Sequence, residues 1–213
     1  MKLGAVLLVA AALGCASAPT RARRPAAGSS ATPAAVSGGS SALDDLMRSD
    51  LAEDRAIAWT AGRRLTWNDF QGDPPTDGSE GAKTSYTLYS AWRCRGSGFE
   101  FRVIAGFRPR QSWVKAVVLN DTTQRRTVLG HEQTHFDLAE VHARIIRQAL
   151  RGLAQPCAMS DGELSGMVQR LSQAEKAEQR RYDAETNHGL RASQQAAWSV
   201  AVARRLRYES GGT

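Results

Sequence analysis

The stretch that most restricts how this chain can fold is His131-Glu132-Gln133-Thr134-His135, set inside a run from Thr127 to Glu140 with helical apolar spacing. Two histidines four apart leave one face of a helix about one turn from each other. Their imidazoles can therefore close on a single tetrahedral metal ion, and these ligand types point to zinc. Glu132, beside the first of them, then faces the metal-activated water as its base. The bland alternative is two unrelated helix histidines. With only four histidines in the chain, chance produces this pattern in roughly one sequence per hundred or fewer. The fold must turn this helix face inward.

At 213 residues the chain is the size of one ordinary domain. Its 42% hydrophobic and 23% charged residues exclude a disordered or membrane-embedded chain. The net charge of +7 comes mostly from arginines scattered along the whole length. No block of basic residues interleaved with aromatics occurs, so nucleic acid is not an expected partner. A weak attraction to anionic envelope polymers or lipid is what the charge leaves open.

Met1-Lys2 followed by the apolar run Leu3 to Leu13 reads as an export signal, with an apolar core too short to span a bilayer. Ala12-Leu13-Gly14-Cys15 matches a bacterial lipoprotein box, in which Cys15 is lipidated and becomes the first mature residue. Ordinary cleavage after Ala16-Ser17-Ala18 is the rival. Residues 1–18 are read as the signal region, cut before Cys15 or after Ala18, and either exit places the rest outside the cytoplasm. The expected location is the periplasm or outer membrane as a lipoprotein, otherwise secretion. Residues 19–55 are expected to form a flexible tether, because the Ala, Ser, Gly, Pro and Arg of its first half bury too little to offset their ordering entropy. Leu43 to Arg55 offers at most a short polar helix.

The folded domain is expected over residues 56–208. Short strands are read at Ala58-Trp59-Thr60, Leu65-Thr66-Trp67, Ala82 to Trp92 and Phe99 to Ala105, with Gly96-Ser97-Gly98 as a hairpin turn. Ser112 to Val118 is a last strand or the approach to the main helix. Asn120-Asp121-Thr122-Thr123 supplies caps for that helix, which should run to about Leu153 before Pro156 stops it. Gly130 in mid-helix costs about 1 kcal/mol relative to alanine, offset by backbone room for a neighbouring strand or a bound peptide. A second helix opens at Ser160-Asp161, with an inward stripe read as Leu164, Val168, Leu171, Glu175, Glu178, Tyr182 and Glu185. Gly189 reads as its C-cap. A third helix spans Ala192 to Arg207, with Trp198 and Val202 inward. The expected fold class is α+β: a small antiparallel sheet, the His131–His135 helix and two further helices. Cys94 and Cys157, an even pair in an oxidising compartment, are expected to form a disulfide.

A catalytic zinc takes three protein ligands and keeps one position for water. His142 lies on the same helix face, yet about 10 Å beyond His135 along an unbroken helix, so it is expected in the core or beside the ligands. His188 is the first-ranked third ligand. Glu185 follows, then Asp183 and Glu178, and the losers are expected to fix the ligands' tautomers. Tyr182 is a candidate donor to the developing oxyanion, against an ordinary core tyrosine.

Four blocks together resemble a bacterial family of predicted secreted zinc-dependent proteases classified as a domain of unknown function. They are Leu65 to Gly72, Ser112-Trp113-Val114, His131 to Asp137, and Tyr182 to Gly189. The resemblance implies a zincin-like fold, metal at His131 and His135, Glu132 as base, and the block around His188 as part of the site. The expected activity is hydrolysis of peptide bonds in a peptide or protein substrate, with a lipid anchor as the route to the membrane. Two alternatives stand beside it. One is a metal-binding envelope lipoprotein that acts as a scaffold without turnover; the other is an amidase acting on peptidoglycan peptides.

Overall fold

The computed structural model describes residues 7–11 and 42–208. A four-stranded antiparallel sheet has the order β1 (Leu7–Ala11), β4 (Tyr86–Arg95), β5 (Gly98–Phe107), β2 (Ile57–Ala58), with helix α1 (Ala42–Glu53) lying between β1 and β2 in the chain. Two short strands, β3 (Ala82–Lys83) and β6 (Trp113–Val114), pair separately. Helices α2 (Ala116–Asn120), α3 (Thr122–Arg151), α4 (Asp161–Thr186) and α5 (Ala192–Tyr208) follow. The expected α+β class is what the chain adopts.

Alternation along β4 explains how the layers stack. Tyr86, Leu88 and Trp92 point to one face, where they meet Phe136, Ala139, Ala143 and Ile146 of α3 and Leu164 and Val168 of α4. Tyr89 and Ala91 point to the other face and pack with Leu43 and Met47 of α1. Residues 42–53, placed in the tether from the sequence, are thus part of the packed domain. Leu7–Ala11, the apolar core of the expected export signal, lies antiparallel to β4 from Tyr86 to Ser90. Cys15 and most of the expected tether lie outside the described residues.

The strands expected at 58–60 and 65–67 are largely replaced by a loop. Only Ile57–Ala58 pairs with β5, and Trp67–Asp69 forms a 3-10 turn closed by a capping box between Thr66 and Asp69. The loop is held by the main helix instead. Asp137 of α3 accepts hydrogen bonds from Trp59 Nε1 (2.8 Å), Arg64 Nη1 (3.0 Å) and Gln133 Nε2 (2.8 Å), while Gln133 Oε1 accepts from the Leu65 amide at 2.7 Å. Together with the sheet, α4 and α5, this clamp buries α3 on all sides from His131 to Ala143.

Helix α3 starts where expected, with the Asp121 carboxylate accepting from the amides of Thr123 and Gln124. Helix α4 starts on the capping box of Ser160 and Glu163. A disulfide joins Cys94 at the end of β4 to Cys157 in the turn between α3 and α4. No helix among the described residues is long and apolar enough to cross a membrane.

Candidate metal centre

His131 and His135 project from α3 toward α4, where Asp183 meets them. These three residues form a buried group that could hold a metal ion, its ligand atoms all within 4.8 Å of one another. The His131 and His135 Nε2 atoms are 3.1 Å apart, and they stand 3.2 and 2.9 Å from Asp183 Oδ1. Three atoms each about 2.0–2.1 Å from one tetrahedral ion would lie about 3.3 Å apart. The observed triangle has close to that size.

Two glutamines decide which imidazole nitrogens carry protons. Gln179 Nε2 donates to the His135 carbonyl oxygen at 3.0 Å, which leaves its Oε1 against His135 Nδ1 at 2.6 Å. The reverse amide orientation would set Oε1 against that carbonyl oxygen, two acceptors face to face. Gln195 Nε2 donates to Ser199 Oγ at 3.1 Å, and its Oε1 lies 3.0 Å from His131 Nδ1 and accepts from Tyr182 Oη at 2.7 Å. A proton held on each Nδ1 leaves Nε2 of both rings as a lone pair. The two Nε2 atoms and Asp183 Oδ1 then converge as three metal-ligating atoms. Asp183 Oδ1 and Glu132 Oε2 are both buried without a hydrogen-bond partner. Such a group is incomplete without a positive charge.

The local electrostatics agree. Burial pushes His135 toward the neutral form, but Asp183 and Glu132 outweigh it and carry its pKa up to about 9. Burial likewise pushes the Asp183 carboxyl up, and the two imidazoles overcome this and hold it well below the usual carboxylate range.

The other expected site residues are placed as follows. His188, the first-ranked third ligand, is outside the group: its Nδ1 is 3.8 Å from Asp183 Oδ1 and its side chain is 60% exposed at the cleft rim. Glu185 is 51% exposed, accepts from Trp198 Nε1 at 2.7 Å and does not join the ligands. Glu178 instead accepts from His142 Nε2 at 2.6 Å and from Arg205 Nη1 at 2.7 Å, away from the group. Tyr182 stacks on the His131 ring with centroids 4.7 Å apart, and its buried hydroxyl lies against the His131 carbonyl oxygen and Gln195. It is tied to His131 and is not among the residues that line the cleft, where an oxyanion donor would stand. Gln179 and Gln195 were not anticipated from the sequence. The one available signal was Gln179 one turn before Asp183 on α4.

The end of α4 is shaped to fit the first histidine. Asn187, His188 and Gly189 have φ of 49°, 53° and 83°, all left-handed. At Gly189 a Cβ would sit 3.2 Å from His131 Cβ and Cγ, so a side chain there would press on the ligand. Gly130 shows the contrary case. A Cβ there would meet nothing within 4 Å, so the neighbouring strand expected to excuse it is absent among the described residues.

A cleft of about 440 Å³ opens over the group. Glu132 lines it from below, and the strand β3 with the loop before it forms one wall. Thr84 Oγ1 donates to the Glu132 carbonyl oxygen at 3.2 Å, fixing that wall to α3. The Lys115 amide donates to the Gly81 oxygen, so Gly81 and Lys83 turn their backbone groups toward β6 and Ala82 turns its own toward the other edge. That second edge has no strand beside it among the described residues.

A family described as bacterial protein of unknown function (DUF922) matches residues 73–189. The match contains His131, Glu132, His135, Asp183, Cys94, Cys157 and Gly189, and leaves out α1, the loop clamped by Asp137, and α5. No curated protein and no solved structure matches the chain.

Proposed function

We propose, for a chain that belongs to the bacterial DUF922 family of unknown function, that it is a zinc-dependent peptidase. In this reading His131, His135 and Asp183 hold the ion and Glu132 is the general base. One observation carries the reading: glutamine oxygens face both Nδ1 atoms, and the two Nε2 atoms converge with Asp183 Oδ1 beside the unpartnered Glu132 Oε2. When bound, zinc supplies Lewis acidity, making a water nucleophilic near neutral pH and polarising a carbonyl. Glu132 accepts the proton from the attacking water and returns it to the leaving amine. Gln179 and Gln195 keep each ligand in the required tautomer. The free edge of β3 holds an extended peptide across the cleft by backbone pairing at Ala82.

Zinc is favoured over other divalent ions by a set of two imidazoles and one carboxylate that leaves a position for water. Export is part of the same proposal. The Cys94–Cys157 disulfide supports it, since such bonds persist in oxidising compartments.

The test is metal analysis of the purified protein with peptide cleavage by wild type and Glu132→Gln. One zinc per chain in both proteins, with cleavage only in wild type, is the expected result. Zinc without peptide cleavage in wild type points to the scaffold reading, or to an amidase if purified sacculi are cut instead. Absence of stoichiometric metal sinks the proposal.

A further inference from the structure

Four large apolar side chains stand exposed among the described residues: Val117, Leu119, Leu190 and Val200. Two of them, Val117 at 63% and Leu190 at 80% exposure, come from different elements and line the same cleft over the histidines. Single exposed apolar residues are unremarkable, but two converging on one concave site with Val118 and Val128 form a patch.

Neither side chain is there for the fold. In α2 the packing is done by Val118, which is buried and fills the space above Gly81, where a Cβ would lie 2.7 Å from its Cγ2. Val117, its neighbour, projects outward. Leu190 follows the three left-handed residues that end α4, and its amide donates to the Asn187 oxygen at 3.1 Å. The same turn presses Gly189 against His131. The position of Leu190 is thus fixed relative to the metal ligands by backbone strain that a looser turn would avoid.

We infer that Val117 and Leu190 are specificity residues that seat a bulky apolar side chain of the peptide next to the bond to be cut. The inference rests on the peptidase reading and narrows it. Its ligand class is an extended peptide bearing Leu, Ile, Met or Phe beside the scissile bond. Discrimination against a small or charged residue at that place falls in the range of about tenfold to a few hundredfold that apolar pockets deliver.

The full chain carrying Glu132→Gln, loaded with zinc, allows binding to be read without turnover. Calorimetry with two peptides that differ only in Leu or Asp at the central position should show at least about tenfold tighter binding of the Leu peptide. Adding Val117→Ser and Leu190→Ser should abolish that preference while zinc stoichiometry stays at one per chain. Equal binding of both peptides, or a preference that survives the two serines, overturns the inference. A Leu preference in binding with no cleavage by the wild type overturns the peptidase reading alone. Cleavage by the wild type without side-chain preference overturns only the specificity.

Discussion

Asp183 and His188 sit five residues apart at the end of one helix, and their environments assign them opposite roles. Asp183 is buried, its Oδ1 unpartnered and within 3.2 Å of both imidazoles. His188 is in solvent at the rim. Replacing Asp183 by Asn removes the negative charge and should weaken zinc binding by at least about tenfold, the lower end of what even outer partners of a metal ligand contribute. His188→Ala should leave one zinc per chain. Competition titration with a chromophoric chelator reads both, and zinc loss on His188→Ala would reverse the assignment. The histidine pair and Glu132 were legible in the sequence because their spacing alone puts them on one face. The carboxylate that meets them was not. Its choice depends on where α4 stops and how far its stripe has rotated, and no local spacing shows that.

At the scale of the element, α4 shows how that rotation was misread. The stripe anticipated through Glu178, Tyr182 and Glu185 follows the helix for its first half. The buried residues then run Glu175, Gln179, Tyr182, Asp183, Thr186. One residue of drift turns Glu178 and Glu185 to the flank and brings Gln179 and Asp183 inward, because polar residues give no hydrophobic cue by which to set the phase. The flank position gives Glu178 a different task. Its carboxylate joins α3 to α5 through His142 and Arg205. The hydrogen bond from His142 is the main cause that holds its pKa near 2, burial acts against it, and Arg205 adds to it. A carboxyl depressed in the folded state stabilises the fold above its ordinary pKa of 4.5, and that stability is lost as pH falls toward about 2. Urea midpoints measured from pH 6 down to pH 2 should therefore decline less steeply for Glu178→Gln than for wild type, from a lower starting value. Parallel curves would remove Glu178 from the acid response. The caps of α3 and α4 and the pairing of β4 with β5 were readable in advance. The 59–69 loop was not, since its order comes from Asp137 and Gln133, which lie far away in sequence.

For the molecule as a whole, the disulfide closes a long loop that contains β5, β6, α2 and all of α3, with Cys94 and Cys157 separated by 63 positions in sequence. On chain-entropy grounds such a closure is worth about 4 kcal/mol. Replacing both cysteines by alanine should lower the unfolding free energy by roughly that amount, with the histidine–aspartate group intact because neither cysteine touches it. Denaturant unfolding of the variant beside the oxidised parent measures it, and a difference under about 1 kcal/mol would mean that the ends are already held together by packing.

The enclosure of α3 has one further consequence. A site that is assembled by its ion must wait for that ion to fold, as zinc fingers do. Here α3 is held by the Asp137 clamp, and both imidazoles by Gln195 and Gln179, through bonds made within the protein itself. On the zinc reading, architecture and ion would be acquired in separate events. Newly made chains would complete their fold first and take up a cation later, so that supply of the ion would set when the protein becomes competent and not whether it survives.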